Sequence, residues 1–260
     1  MRTSLRERLS GDRVLVGLGA CVIRTPEIVT VTRSCGFDFL LVDTEHGALA
    51  ISDVASIAVT SFEAGLPCLV RVGGPGAPDL ARVLDCGAEG VVVAHVERVE
   101  EAHHVVEKCR FLPLGKRSLP SPLVRLGFRV PLAGQIMEEI ERDVLVVLMI
   151  ESGLGVENAE AIAAVPGVDV LMIGANDLAA DMGHVGDVGH AKVQAAFAKV
   201  AGAAHAKGKT FGIIGVPEPL VLSHGLDLGA KLIVATNDIN LMIDQGLATV
   251  ARVRDLAHAH

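Results

Sequence analysis

Apolar residues in this chain fall in short unbroken runs rather than in strict alternation with polar ones. In the first half the runs are VLVGLG (14–19), FDFLLV (37–42), CLVRV (68–72) and GVVVAHV (90–96). In the second half they are VLVVLMIE (144–151), VDVLMIG (168–174), TFGIIG (210–215) and KLIVAT (231–236). Segments with helical spacing of apolar positions stand between them, such as VENAEAIAAV (156–165) and HAKVQAAFAKVAGAAHAKG (190–208). A strand reads as a continuous apolar run when both its faces are buried, which is the situation of a parallel sheet covered by helices. Eight such units predict a single-domain (β/α)8 barrel of the TIM type over residues 1–260, and this fold takes about 250 residues. A doubly wound open sheet is the competing arrangement. One segment breaks the rhythm: RFLPLGKRSLPSPLVRLGFRVPLAG (110–134) carries Pro113, Pro120, Pro122 and Pro131 among several arginines. It predicts a long loop around 112–134, read as a functional loop or lid, against the plainer reading of a basic surface insertion.

Composition sharpens this picture. Half of the residues are hydrophobic and the mean hydropathy is +0.48. That suits a barrel whose strands and inner helix faces are all covered. The longest strongly apolar run, VLVVLMI, is closed by Asp143 and Glu151, well short of the roughly 18 to 20 residues that span a bilayer, so no membrane association is expected. The opening MRTSLRERLSGDR has no apolar run of secretory type behind it and includes Glu7 and Asp12, which predicts a cytoplasmic protein. A net charge of -8 and the absence of Trp and Tyr argue against a nucleic-acid surface. Small-molecule partners are expected instead. The five cysteines show no CxxC spacing, so neither a zinc site nor a disulfide framework is predicted.

In a barrel of this kind the chemistry lies at the carboxyl ends of the strands. The second run ends in DTEHG, delivering Asp43, Glu45 and His46; the third carries Arg71; the fifth ends in Glu151; the sixth leads through GAN to Asp177. A lone acid after a strand often only caps the next helix. Several such residues on one rim read as a site. Glu151 and Asp177, from adjacent strands, suit a hard divalent cation, Mg²⁺ or Mn²⁺. Arg71 offers a planar fork to an oxygen gaining negative charge. His46, with Asp43 near it in sequence to orient it, is a candidate general base. The GAN turn offers main-chain N–H groups to a substrate carboxylate. Together these suit proton abstraction α to a carbonyl, giving an enolate. Schiff-base chemistry is disfavoured, since Lys209 and Lys231 precede the seventh and eighth strands and so belong to the opposite end. No GxSxG or complete P-loop occurs, and RVGGPGAP lacks the GxGxxG pattern. His95, His103 and His104, in HVERVEEAHHVVEKC, read as a solvated helix face.

The ordered set FDFLLVDTEHG, LVRV, VLDCGAEGV, LGKRS, MIESGLGVEN and IGANDLAADMG resembles the class II pyruvate aldolases of the HpcH/HpaI type, over nearly the whole chain. The resemblance implies a divalent-metal-dependent lyase that makes or breaks a carbon–carbon bond at the methyl carbon of pyruvate, or uses oxaloacetate in its place, with an aldehyde as partner. It implies that Glu151 and Asp177 hold the metal and that Arg71 meets the enolate oxygen. His46 and Asp43 would be the acid/base pair, working through a water, and Gly174 and Asn176 would offer main-chain N–H groups to the pyruvate carboxylate. It further implies a homo-oligomer, a trimer or a hexamer with exchanged C-terminal helices, in which Asp85 reaches a neighbouring subunit's site. Met149 stands where several aldolases have Gln, LGKRSLPSP replaces a more Gly-rich segment, and FGIIGVPEP does not identify an aldehyde. Claisen-type chemistry on oxaloacetate and an acyl-CoA is the alternative on this scaffold, with the arginines at 117, 125 and 129 facing a tricarboxylate. A barrel kept only for binding is the remote one.

Overall fold

The computed structural model describes residues 3–120, 124–129 and 133–258. The strands are β1 (Leu15–Ala20), β2 (Phe39–Asp43), β3 (Cys68–Val72), β4 (Gly90–Val93), β5 (Leu145–Ile150), β6 (Val170–Gly174), β7 (Thr210–Ile214) and β8 (Leu232–Asn237). They pair in parallel, in sequential order, and β8 closes on β1. The helices are α1 (Leu5–Leu9), α2 (Glu27–Ser34), α3 (Ile51–Ala64), α4 (Leu80–Asp85), α5 (Val99–Cys109), α6 (Ala133–Asp143), α7 (Gly153–Ala163), α8 (Ala175–Asp181), α9 (Ala191–Ala206), α10 (Val221–His224) and α11 (Asp238–His258). This is the (β/α)8 barrel that the apolar runs predict. No described helix is long and apolar enough to cross a membrane.

Successive side chains of a strand point to opposite faces, so each strand feeds two separate interiors. Leu40 and Val42, Val146, Leu148 and Ile150, and Leu171 and Ile173 pack outward against the helices. Phe39 and Leu41, Leu69, Val92, Leu145, Val147 and Met149, and Val170 and Met172 fill the barrel itself. Leu5 and Leu9 of α1 join this inner cluster. The short helix is held by a capping box between Ser4 and Glu7 and by the Leu5 N–H, which donates to Glu89 Oε2 at 2.9 Å just before β4. It stoppers the amino-terminal end of the barrel. The carboxyl-terminal end is the open one.

Counting inward positions upward by twos gives the layer at that open end. On β2 the series Phe39, Leu41 continues to Asp43; on β3 Leu69 is followed by Arg71; on β5 Met149 is followed by Glu151; on β6 Met172 is followed by Gly174. Asp43 and Arg71 are register partners across β2 and β3. The same periodicity that builds the apolar plug therefore ends it in charged groups.

The loop after α5 departs from the expectation of a lid. α5 returns the chain to the amino-terminal end, and the loop leaves from there. Arg117 Nη2 donates to Asp85 Oδ1 at 2.6 Å, with its guanidinium 4.9 Å from the Phe111 ring centroid. Arg125 Nη2 donates to Asp143 Oδ2 at 3.0 Å and Arg125 Nη1 stands 3.9 Å from Glu89 Oε1. Asp143 and Glu89 precede β5 and β4, so within one chain these arginines sit at the end opposite the charged layer and cannot face a substrate there. Between α5 and α6, which begins at Ala133, a single 3₁₀ turn occupies Val124–Leu126; Pro122 and Pro131 lie outside the described residues. At the other terminus α11 packs on the barrel only at its start. Met242, Ile243, Leu247, Val250, Val253 and Leu256 are all exposed along it.

Candidate active site

The DTEHG turn is built around the carboxylate of Asp43. Its Oδ1 accepts the main-chain N–H groups of Glu45 at 3.0 Å and His46 at 3.2 Å, a local turn of the kind Asp favours. Gly47 closes the turn: a Cβ there would stand 2.3 Å from the Asp43 carbonyl oxygen. Arg71 meets Asp43 side-on, Nε donating to Oδ1 at 3.0 Å and Nη2 to Oδ2, the bidentate fork that Lys cannot reproduce. Burial by itself would raise the Asp43 pKa, but the hydrogen bond and charge of Arg71 and the two N–H donors hold it below the usual range. Burial likewise works against the Arg71 charge and is outweighed by Asp43, Glu45 and Glu151, so its pKa lies above the ordinary arginine value.

Asp43 therefore contacts His46 through the main chain and not through the ring, contrary to the expectation that it orients the imidazole. The His46 side chain is 61% exposed at the mouth, its Nε2 4.0 Å from Glu45 Oε2. Cys21, just past β1, completes the surroundings of Asp43 with its Sγ 3.6 Å from Oδ2. Burial first, then the negative charges of Asp43 and Asp238, push the Cys21 thiol up to about 12, so it is a neutral donor. Asp238 at the start of α11 holds the loop in place by accepting the N–H groups of Cys21, Val22 and Ile23. All five cysteines are free.

Glu151 is the most enclosed acid of the rim, its side chain 2% exposed. Burial pushes its pKa up; the N–H and ring of His95 oppose this, while the charges of Glu45 and Asp177 add to it. Gly174 makes room for it: a Cβ there would lie 2.2 Å from Glu151 Oε1. Asn176 and Asp177 follow in the first turn of α8, both exposed at the mouth. Met149 lies one inward layer below Glu151, fully buried in the apolar plug, so no polar side chain supports the carboxylate from beneath. Asp85 is not on this rim; it ends α4 at the far end, paired with Arg117.

Two residues belong to the cluster that the sequence reading left without a role. Glu45 stands with Oε2 3.3 Å from Arg71 Nη1, and this buried oxygen accepts no hydrogen bond among the described residues. His95 is not on a solvated helix face. Its main-chain N–H donates to Glu151 Oε2 at 2.8 Å, its Nδ1 lies 3.3 Å from the same oxygen and its Nε2 lies 2.8 Å from Glu45 Oε1. A usable signal existed, because His95 is the first polar residue past a buried strand, the rule that picked out Asp43 and Glu151.

An apolar barrel stoppered at one end, with its acids and its arginine gathered at the other, defines the class: this is a (β/α)8-barrel enzyme. A family model described as HpcH/HpaI aldolase/citrate lyase matches residues 22–225, and the chain belongs to that family. A 4-hydroxy-4-methyl-2-oxoglutarate aldolase from Hapsidospora irregularis is 36% identical over 242 residues, covering 92% of this chain and 90% of that protein. An HpcH/HpaI aldolase structure from Desulfitobacterium hafniense matches with a TM-score of 0.91 at 26% identity, covering 97% of each chain. A citrate synthase structure matches with a TM-score of 0.88 at 27% identity, covering 98% of this chain and 99% of that one. As a member of this family the chain is a carbon–carbon lyase.

Proposed function

We propose that the chain is a divalent-metal-dependent aldolase of 2-keto acids, joining the enolate of pyruvate or oxaloacetate to an aldehyde and cleaving 4-hydroxy-2-oxo acids in reverse. The observation that carries this is the charge balance of the rim. Asp43, Glu45 and Glu151 face one arginine, Arg71, whose fork is already committed to Asp43, and Asp177 adds its negative charge beside Glu151. Glu151 is pushed up by burial and by its acidic neighbours, and Glu45 keeps a buried oxygen without a hydrogen bond. Such a site fits a hard cation, Mg²⁺ or Mn²⁺, with Glu151 and Asp177 as the residues that would hold it. When bound, the cation supplies Lewis acidity toward the keto oxygen.

The residues of the chain divide the remaining work. Arg71, fixed by Asp43, presents positive charge to the oxygen on which enolate charge develops. His46, exposed at the mouth, removes the methyl proton of pyruvate, directly or through water. Asp43 stays ionised and serves as the counter-ion of Arg71 and the core of the DTEHG turn. The first N–H groups of α8, which have no partner within the helix, receive the substrate carboxylate beside Gly174 and Asn176. The aldehyde itself is left open by the side chains after β7.

A second reading, Claisen-type condensation of oxaloacetate with an acyl-CoA, is favoured by the likeness to a citrate synthase. Arg117 and Arg125 lend it no support within one chain, since both are engaged at the far end of the barrel. The experiment that decides is product identification with metal-loaded protein, given pyruvate and a panel of aldehydes, or oxaloacetate and acetyl-CoA. Aldol products are expected; citrate with no aldol product would overturn the first reading. We further propose a homo-oligomer, a trimer or hexamer, because α11 leaves a stripe of six large apolar side chains exposed, the kind of surface that marks an interaction site. In that assembly Asp85, whose side chain stays 36% exposed beside the buried Arg117, would reach a neighbouring subunit's site.

A further inference from the structure

His95 has an unusual backbone. Its φ is +53°, a left-handed conformation that a residue with a Cβ rarely adopts. The consequence is geometric. In this conformation the main-chain N–H and the ring of one residue reach the same carboxylate oxygen, Glu151 Oε2, at 2.8 and 3.3 Å, while the other ring nitrogen reaches Glu45 Oε1 at 2.8 Å. The two oxygens of Glu151 are thereby made unequal. Oε2 is engaged twice by His95, whereas Oε1 lies against Gly174, at the start of α8, and accepts no hydrogen bond among the described residues.

We propose that His95 is a positioning residue: by taking up Glu151 Oε2 and Glu45 Oε1 it turns Glu151 Oε1 toward Asp177 and keeps it open for a divalent cation. This rests on the metal reading above and adds to it the residue that sets the carboxylate's orientation. His95 also links the two halves of the rim, since Glu45 is in turn held by Arg71. Groups that orient a ligating carboxylate typically contribute about 10- to 100-fold to metal affinity.

The test is a titration of chelator-treated full-length protein with Mn²⁺, followed by calorimetry and by the loss of the free-ion resonance signal. Wild type, Glu151→Gln, His95→Gly and His95→Asn are compared. Glycine adopts the left-handed backbone without strain and keeps the N–H, so it removes only the ring; asparagine tolerates the same backbone and replaces one of the two ring contacts. Wild type should bind and Glu151→Gln should not. His95→Gly should bind about 10- to 100-fold more weakly, His95→Asn should fall between, and saturating metal should return the His95→Gly kcat to within a few-fold of wild type. A folding defect would not be rescued in that way. Unchanged or tighter Mn²⁺ binding by folded His95→Gly overturns the proposal while leaving the metal site intact, and His95→Asn binding as wild type does the same if the glycine variant does not fold. No binding by wild type overturns the metal reading and the proposal with it.

Discussion

Glu151→Gln should stabilise the protein when no metal is present, although it destroys the site. The carboxylate is almost wholly buried, and its pKa is raised chiefly by that burial, with Glu45 and Asp177 adding repulsion. A group whose folded pKa is raised binds its proton more tightly in the native state than in the unfolded one. Stability is then lost as pH climbs from the unfolded value of about 4.3 through the folded one. At neutral pH the ionised group is a net cost. A buried ion costs several kcal/mol even after relaxation, and hydrogen bonding to the charged form, here from the His95 N–H, returns about 1.5–3 kcal/mol. A net gain of about 1–2 kcal/mol for the neutral isostere follows, in the range common for substitutions that relieve functional sites. For a chain of this size that is roughly 2–8 °C in melting temperature. The assay is thermal unfolding of wild type and variant in chelator across pH 4 to 8. The difference should vanish near the acid end, where both side chains are neutral, and grow toward neutrality. Adding Mg²⁺ at about 100 times its dissociation constant should raise wild type alone by about 2.7 kcal/mol, reversing the order. A Glu151→Gln protein that melts below wild type in chelator at pH 7 would refute the picture of a carboxylate held ready for a cation.

Arg71→Lys should lose about 10²–10³-fold in kcat, because the ammonium cannot keep both contacts to Asp43; near-normal kcat would reduce Arg71 to general positive charge. Gly174→Ala puts a Cβ 2.2 Å from Glu151 Oε1 and should weaken metal binding at least about tenfold, measured by the same titration; normal affinity would mean that the carboxylate does not depend on this clearance. Asp43→Asn takes from Arg71 its bidentate partner, leaving Glu45 3.3 Å from Nη1, and should cost about 1.5–3 kcal/mol at neutral pH. Because the Asp43 pKa is depressed, this stabilisation is present above about pH 4 and lost as pH falls through the folded value, so the gap between wild type and variant in denaturant melts should close on acidification. A gap independent of pH would contradict the ion pair.

The barrel was legible because parallel strands covered on both faces are written as continuous apolar runs, and the carboxyl ends of those runs led to Asp43, Arg71 and Glu151 at the rim. His95 was hidden by its neighbours. GVVVAHVERVEEAHH blends into a charged helix, and a left-handed backbone at one residue has no periodic signature. Glu45 was visible at the end of its strand, but its task depends on two residues, Arg71 and His95, that come from other strands. The misplacement of the Arg117 and Arg125 loop has a different cause: proline and arginine content says nothing of which end a loop occupies, whereas the topology does, since a loop that follows a helix emerges at the amino-terminal end. Met149 shows the reverse case, a residue singled out by the family resemblance that the plug absorbs as ordinary apolar packing.

We propose that this rim forms an enolate from a 2-keto acid, with a divalent cation and with His46 as the base. Exchange of the pyruvate methyl protons with D₂O, followed by proton NMR, measures that step without needing the aldehyde. With saturating Mg²⁺ the wild type should exchange these protons and chelator should stop it. His46→Ala should slow the exchange by about 10²–10⁴-fold while retaining much of the decarboxylation of oxaloacetate, which reaches the enolate without removing a proton. Exchange that continues at the wild-type rate in chelator, or in His46→Ala, would contradict a metal-dependent enolate formed by His46.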